Sequence, residues 1–441
     1  MTRRSGFTAP LCAAALLSAG LWAVTRSALA QDVVTLEQAL TEARAANLRL
    51  PLPAFEVQVL RARQREAVAE KWLKVAVEGD FIYAPYHSHG YDPALTNFGE
   101  AGMKVAARQP IYAGGSIVAG IERADAAVAA GEARYRIAEK DLELEVRSRF
   151  YELDAAVAEQ AIRHGAIERI GAYLKLLESR KASGQAVAGD VIKTQVRNAL
   201  EQSSRLDAEE HADEARLALN QLLGREPAGS VALAALPPPG PPAAEETAGA
   251  AGTAPWESAP EILQARAEAR TAEAETVIAR AERLPHLSFN ADVGLWTSDT
   301  MHLNADFWDR LWSNRGYSLA MVLSWSIWDR GALKSRITAA DLGLQQAQRA
   351  IEAERHDAYA KWAQARAAER RLYEQIVLLT RVVPDARDSY LEAESRYRGG
   401  AGSALEVLDA YAAATEAAVK LNDVTARYRV AQAVAARWSA P

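Results

Sequence analysis

His87-Ser88-His89 is the nearest this 441-residue chain comes to a metal-binding fragment, with His286 and His302 falling in segments of similar patterning. Two imidazoles are half a site. A bound transition metal asks for three or four ligands, and neither a cysteine nor a cluster of carboxylates stands near enough in sequence to complete one, so a hydrated loop is the simpler reading. No serine, cysteine or lysine nucleophile is followed by a recognisable base. The paired glycines at 114–115 and 399–400 lack the context of a phosphate loop. The chain is therefore expected to be no enzyme and to hold no metal and no cofactor. Its interest lies in what its elements would build.

The N-terminus carries Arg3 and Arg4, an apolar stretch from about Leu11 to Val24, and Ala28-Leu29-Ala30, which together form a secretory signal over residues 1–30. Cys12, the only cysteine, lies inside it and follows Ala9-Pro10-Leu11, a poor lipidation box. A mature chain from Gln31 contains no thiol, which excludes disulfides and cysteine-ligated metals. Losing the three arginines of the signal takes the formal charge from −6 to −9. An acidic exported chain is a poor nucleic-acid binder.

The chain repeats itself. Tyr112-Ala113-Gly114-Gly115-Ser116 returns 216 residues later as Trp328-Asp329-Arg330-Gly331-Ala332, and Gly184 before Asp190-Val191 returns as Gly400 before Glu406-Val407. Repeats at 31–226 and 261–441 follow, joined by a Pro/Ala-rich linker over 227–260 that includes Pro237-Pro238-Pro239-Gly240-Pro241-Pro242. No proline falls between Pro110 and Pro227, and after Pro285 only Pro384 precedes the terminal Pro441. Such gaps permit very long helices, expected over 117–182 and 333–398, with a kink at Pro384. In the second, Leu372, Ile376, Leu379, Val383, Ala386, Tyr390, Ala393 and Tyr397 alternate in steps of four and three, the spacing of a coiled-coil seam. Shorter helices are expected over 35–73, interrupted at Pro51-Leu52-Pro53, and over 190–223, 258–283 and 405–437.

Between helices the period changes to two. Val75, Val77, Phe81 and Tyr83 oppose Glu78 and Asp80; Met103, Val105, Ala107 and Ile111 oppose Lys104 and Arg108. Leu287, Phe289, Ala291, Val293 and Leu295 alternate with Ser288, Asn290 and Asp292, and Leu319, Met321, Leu323, Trp325 and Ile327 with Ser318, Ser324 and Ser326. Four strands of about ten residues, each with one apolar and one polar face, match the length and pattern of transmembrane strands. A soluble β-sandwich would show the same alternation. Against it, Trp296, Trp308, Trp312, Trp325 and Trp328 crowd into one window and Tyr83, Tyr86 and Tyr112 border the first pair, as in an interfacial aromatic belt. Loops at about 87–101 and 297–316 are longer than tight hairpins need. Because four strands cannot close and an open edge in lipid leaves backbone groups unpaired, several copies must share one barrel.

These residues resemble the TolC family of outer-membrane efflux proteins, in the duplicated helix-strand-strand-helix-helix order, in the strand exits at Tyr112–Gly115 and Trp328–Gly331, and in Tyr397-x-x-Gly400-x-x-Ser403-x-x-Glu406-Val407-Leu408-Asp409-Ala410. The resemblance implies an α+β membrane protein: a homotrimer with a long antiparallel α-helical coiled-coil barrel and four transmembrane strands per subunit in a shared 12-stranded β-barrel. It implies an outer-membrane exit duct of a Gram-negative bacterium, extended into the periplasm, exporting drugs or metal ions, or proteins in type I secretion, with a periplasmic adaptor and an inner-membrane transporter as partners and outer-membrane lipid around it. Strand-to-helix turns fall at Gly114, Gly115 and Gly331, hairpin tips at Gly184 and Gly400, and the aromatic belt at Trp296, Trp325, Trp328, Tyr83 and Tyr112. Glu406 and Asp409, three apart on one helix face, match the family's acidic constriction rings; Asp190 repeats the first and Lys193 stands in place of the second. Tyr397 matches a tyrosine that helps hold the closed tip by hydrogen bonds. One departure is Gly402, where the family's best-known member has an arginine; Arg398 is the expected substitute. The competing class is a structural or adhesive coiled-coil protein of the envelope, which explains the long helices and leaves the four amphipathic strands without a purpose.

Overall fold

The computed structural model describes residues 33–83, 99–242, 254–298 and 305–438. The signal segment, Tyr86, His87, His89, His302 and the middle of the linker lie outside them. Helix α1 (Leu36–Ala46) opens with a reciprocal cap between Thr35 and Gln38, and α2 (Pro51–Ala69) begins at the prolines expected to interrupt it. At the first helical position a missing N–H costs nothing, so Pro51 starts a helix instead of breaking one. Strands β1 (Val33–Val34), β2 (Lys74–Tyr83) and β3 (Gly99–Tyr112) are followed by α3 (Ser116–Ala182), α4 (Ala188–Leu223) and β4 (Ala232–Leu233). After a 3-10 turn at Pro255–Ser258 come α5 (Pro260–Ala281), β5 (His286–Ser298), α6 (Ala305–Ser313), β6 (Arg315–Ser324), α7 (Ala332–Arg398) and α8 (Ala404–Trp438). Helices α3 and α7 are each 67 residues, about 100 Å at 1.5 Å per residue. Their first residues lie one repeat apart. Helix α7 continues through Pro384. None of the described helices is long and apolar enough to cross a membrane.

The contacts fall into two compact units. One comprises the described parts of Met1–Asn47, Glu145–Pro241 and Leu372–Val430. Its core is the expected seam: Tyr390 and Tyr397 from α7 bury against Ala166, Ile170, Tyr173 and Leu177 from α3 and Val407 and Tyr411 from α8. All eight seam positions are buried or half-buried. The linker is less free than its composition suggests. Strand β1 pairs in parallel with β4, the Tyr428 hydroxyl donates to the Gly240 carbonyl at 2.7 Å, and Arg429 donates to the Pro237 carbonyl at 3.0 Å. Arg225 grips both carboxylate oxygens of Glu42 at 2.7 Å, so that α1 is tied to the end of α4. That guanidinium's hydrogen bond holds the Glu42 carboxyl below its ordinary range.

The other unit comprises the described parts of Leu48–Leu144, Pro242–Arg371 and Ala431–Pro441. Trp256, Tyr359 and Trp362 stack together with centroids 4.8 to 6.4 Å apart. Arg437 reaches Asp141 and Glu261 at 2.6 and 2.7 Å. This unit holds a four-stranded antiparallel sheet in the order β2-β3-β5-β6, so the two halves of the chain meet at the central pair and β2 and β6 form the edges.

Register settles the faces of the sheet. Glu78 pairs with Lys104, Lys104 with Gly294, and Gly294 with Gly316; one residue along, Val77 pairs with Val105, Val105 with Val293, and Val293 with Tyr317. Since paired residues share a face, polar and apolar rows alternate down the sheet. Val77 is 69% exposed, Val293 62% and Leu319 66%, which removes the soluble sandwich, whose apolar face would be packed away. Among the described residues of this four-stranded sheet only the paired Ala101 and Thr297 are buried.

Two expectations are corrected. The fourth strand ends at Ser324, before Trp325 and Ile327, because its partner β5 begins at His286, immediately after Pro285 and the end of α5; a ladder stops where its partner stops. The second loop contains α6, a helix with Trp308 and Trp312 exposed on one side and Phe307 buried.

Candidate functional site

At the ends of the long helices the chain turns twice in the same way. Gly184 (φ 76°) and Gly400 (φ 77°) adopt the left-handed conformation. In the first turn Gln185 N–H bonds back to the Arg180 carbonyl at 2.8 Å and Gly184 N–H to that of Lys181 at 3.0 Å; in the second Ala401 bonds to Arg396 at 2.9 Å and Gly400 to Tyr397 at 3.1 Å. Each is a Schellman closure, and each needs positive φ at the glycine. The Ser403 hydroxyl then accepts the Glu406 N–H at 3.2 Å and caps α8. Its counterpart Val187 offers α4 no side-chain cap.

Glu406 and Asp409 are both exposed, flanking Val407, which is fully buried. Asp190 lies in the first turn of α4, half-buried. Tyr397 is buried, its ring edge-on to Tyr173 at 5.6 Å. The hydrogen bonding of Tyr397 with the neighbouring helix runs through its backbone, not its hydroxyl: Arg180 donates to the Tyr397 carbonyl at 2.7 Å and to the Arg398 carbonyl, with its guanidinium 5.0 Å above the Tyr397 ring. Arg398, the expected substitute for the missing arginine, instead pairs with Glu394 on its own helix at 2.7 Å. Gly402 has a steric reason: a Cβ there would lie 3.1 Å from the Tyr397 nitrogen. Sequence reasoning missed Arg180, although the repeat places it opposite Arg396, and a cation in the last turn of a helix is suited to capping carbonyls.

Burial shapes the chemistry of this cluster. The Tyr173 hydroxyl is pushed well above the ordinary phenol range and that of Tyr411 up to about 12, in both cases first by desolvation. Glu201, 3% exposed, is compensated by Arg197 at 3.0 Å and Arg163 at 3.5 Å. Among the described residues no group of three His, Cys, Asp or Glu could hold a metal ion.

In the sheet unit the strand exits are built alike but not identically. Gly114 (φ 63°) and Gly115 (φ 91°) make the first turn; Arg330 (φ 57°) and Gly331 (φ 90°) make the second. Arg330 tolerates this geometry with its guanidinium 5.5 Å over the Trp328 ring, while the Asp329 carboxylate accepts the Gly331 and Leu333 N–H groups.

The aromatic belt divides. A bulge at Ile111 moves Tyr112 into register with Leu287, on the apolar face; without it Tyr112 would have joined the polar row. Trp325 and Trp328 follow β6, both exposed, with the Trp325 indole donating to the Arg283 carbonyl at 3.0 Å. Tyr83 ends β2 opposite Gly99. Trp296 departs from the expected belt. It pairs with Gly102 and shares the row of Asp80, on the polar face of the sheet.

Comparison with known proteins adds to this geometry. A family model described as "Outer membrane efflux protein" matches residues 23–225 and 256–436. No match was found among the curated proteins. Similar solved structures include a membrane protein from Pseudomonas aeruginosa (21% identity, TM-score 0.74, covering 91% of this chain and 93% of that one). The outer membrane protein VceC of Vibrio cholerae is similar at 19% identity and TM-score 0.76, covering 91% and 95%. The open state of the MtrE outer membrane channel of Neisseria gonorrhoeae is similar at 16% identity and TM-score 0.75, covering 91% and 88%. At such identities the likeness is one of fold.

Proposed function

The chain belongs to the outer membrane efflux protein family, and from that premise we propose that it is the exit duct of a tripartite efflux assembly, conducting small molecules passively across the outer membrane. The observation that carries this is the sheet: four strands of membrane-spanning length, apolar and exposed on one face, polar on the other, open at both edges. In lipid those edges must be paired, so identical subunits join β6 to β2 and close a ring with the polar face inward. Three copies give 12 strands, as in the TolC family. The long helices continue the duct into the periplasm, where an adaptor and an inner-membrane transporter supply contact and energy. No residue is assigned to catalysis.

Within this reading Glu406 and Asp409, exposed at the start of α8, form with Asp190 an acidic ring at the tip, and Tyr397 with Arg180 holds the two helical turns together. Converging carboxylates attract cations and repel anions. A Glu406→Gln, Asp409→Asn protein in planar bilayers is expected to lose cation preference, with altered single-channel conductance. Unchanged selectivity and conductance would take both residues out of the pore.

A further inference from the structure

The polar face of the sheet carries more than charge. One row runs Asp80, Gly102, Trp296 across β2, β3 and β5, and the next runs Glu78, Lys104, Gly294, Gly316. Three neighbouring positions, Gly102, Gly294 and Gly316, therefore have no side chain, on the face that also carries Glu78, Asp80, Lys104 and Asp292. The Trp296 ring leans over one of them: a Cβ on Gly316 would lie 2.4 Å from its Cη2. The Asp80 carboxylate lies over another, with Oδ1 3.2 Å from where a Cβ on Gly102 would stand. Strands are about 4.8 Å apart, so the Asp80 and Trp296 backbones stand roughly 10 Å apart with Gly102 between them. The resulting trough has a volume of about 340 Å³ and is also lined by Asp292 and Ser318. Lys104 also lines the trough; it pairs with Glu78 at 3.0 Å and its charge interacts with Asp80 and Asp292, so that three carboxylates face one ammonium. Asp80 and Asp292 form no salt bridge among the described residues, and Asp292 accepts only a hydroxyl, from Ser318 at 3.1 Å.

We propose that this trough is a transient binding site for flat organic cations, which stack on Trp296 and place their positive charge against Asp80 and Asp292. An indole face attracts a cation through its quadrupole, and the excess of Glu78, Asp80 and Asp292 over Lys104 leaves net negative charge beside it. Glycine at 316 lets the Trp296 ring settle over the sheet, and glycine at 294 admits Lys104 and the Met103 carbonyl, where an added Cβ would meet atoms at 2.4 and 2.7 Å respectively. This rests on the efflux reading, since only a duct brings such solutes past the polar face.

The test is ethidium binding to the full-length protein in lipid nanodiscs, read by fluorescence anisotropy against empty nanodiscs. Saturable binding is expected, displaced by proflavine and not by tetraethylammonium at the same concentration. Trp296→Leu is expected to weaken it about tenfold, Trp296→Phe less, and Asp80→Asn by severalfold. Absence of saturable binding, equal displacement by tetraethylammonium, or unaltered affinity in both Trp296→Leu and Asp80→Asn overturns the proposal; the competition arm needs no variant to fold. Ion conductance of the wild-type protein is measured in parallel. A conducting channel without the binding sinks the site alone, and binding without conductance sinks the duct.

Discussion

Arg180 does at the helical tip what no residue near Gly402 can do. A guanidinium presents parallel donors, and here one reaches the Arg398 carbonyl at the end of α7 while another adds a second bond to the Tyr397 carbonyl, which also accepts the Gly400 N–H, and the plane covers the Tyr397 ring. Bonds from a charged donor at a partly buried site contribute about 1.5–3 kcal/mol. Arg180→Ala should therefore lower the thermal midpoint of the detergent-solubilised protein and raise its open-channel conductance, and Arg180→Lys should restore little, because an ammonium cannot fork between the two carbonyls. If conductance and thermal midpoint both stay at wild-type values, Arg180 does not join the turns. The tyrosine was visible in the sequence because it ended a heptad seam. Its partner was not, because Arg180 belongs to the other repeat, and only folding brings the end of α3 beside the end of α7.

Among the elements, those whose pattern is local were legible. The seam of α7 and the alternation of the four strands each repeat over distances shorter than one element, so residue spacing alone reports them, and the glycines of both turns stand out because Gly184 returns 216 residues later as Gly400. What depended on a partner was not legible: the end of β6 is set by where β5 begins, the facing of Tyr112 by one bulged residue, and β4 by the N-terminal strand it meets. The glycines give a graded test. A Cβ at Gly184 or Gly400 would meet nothing within 4 Å, so alanine there should destabilise by backbone strain alone, about 1–2 kcal/mol. At Gly114 a positive φ of 63° is combined with the Ala281 carbonyl 2.9 Å from the added carbon. Gly114→Ala should unfold at clearly lower temperature than Gly400→Ala in a calorimetric comparison; equal midpoints would contradict the close approach. The tie between α1 and α4 should depend on pH. The folded Glu42 carboxyl has the lower proton affinity, so its stabilisation is present above the ordinary carboxylate range and is lost as pH falls through the depressed folded value. Protection of the α1 amides, corrected for intrinsic exchange at each pH, should fall on acidification in the wild type, and Glu42→Gln should remove that pH dependence.

At the scale of the whole molecule the sheet makes sense only in company. Its apolar face is exposed, its two edge strands have no further partner among the described residues, and its polar face carries Lys104, Asp80 and Asp292, which belong in water. Lipid outside, water inside and a neighbour at each edge satisfy all three conditions at once, whereas an adhesive coiled coil satisfies none of them. Adjacent residues of one strand should consequently respond in opposite ways to the same change. Val105 pairs with Val77 and Val293 on the apolar face, and Ala106 pairs with Ala76 and Asp292 on the polar one. An arginine in mid-membrane on the lipid side costs about 2–4 kcal/mol per copy, while the luminal side is already hydrated. Val105→Arg should therefore abolish heat-resistant oligomers on semi-native gels, and Ala106→Arg should leave them standing, its guanidinium within reach of the Asp292 carboxylate. Should both substitutions be tolerated equally, the apolar face does not meet lipid. Should both abolish assembly, the polar face is packed against something other than water, and a lumen between the subunits has no lining.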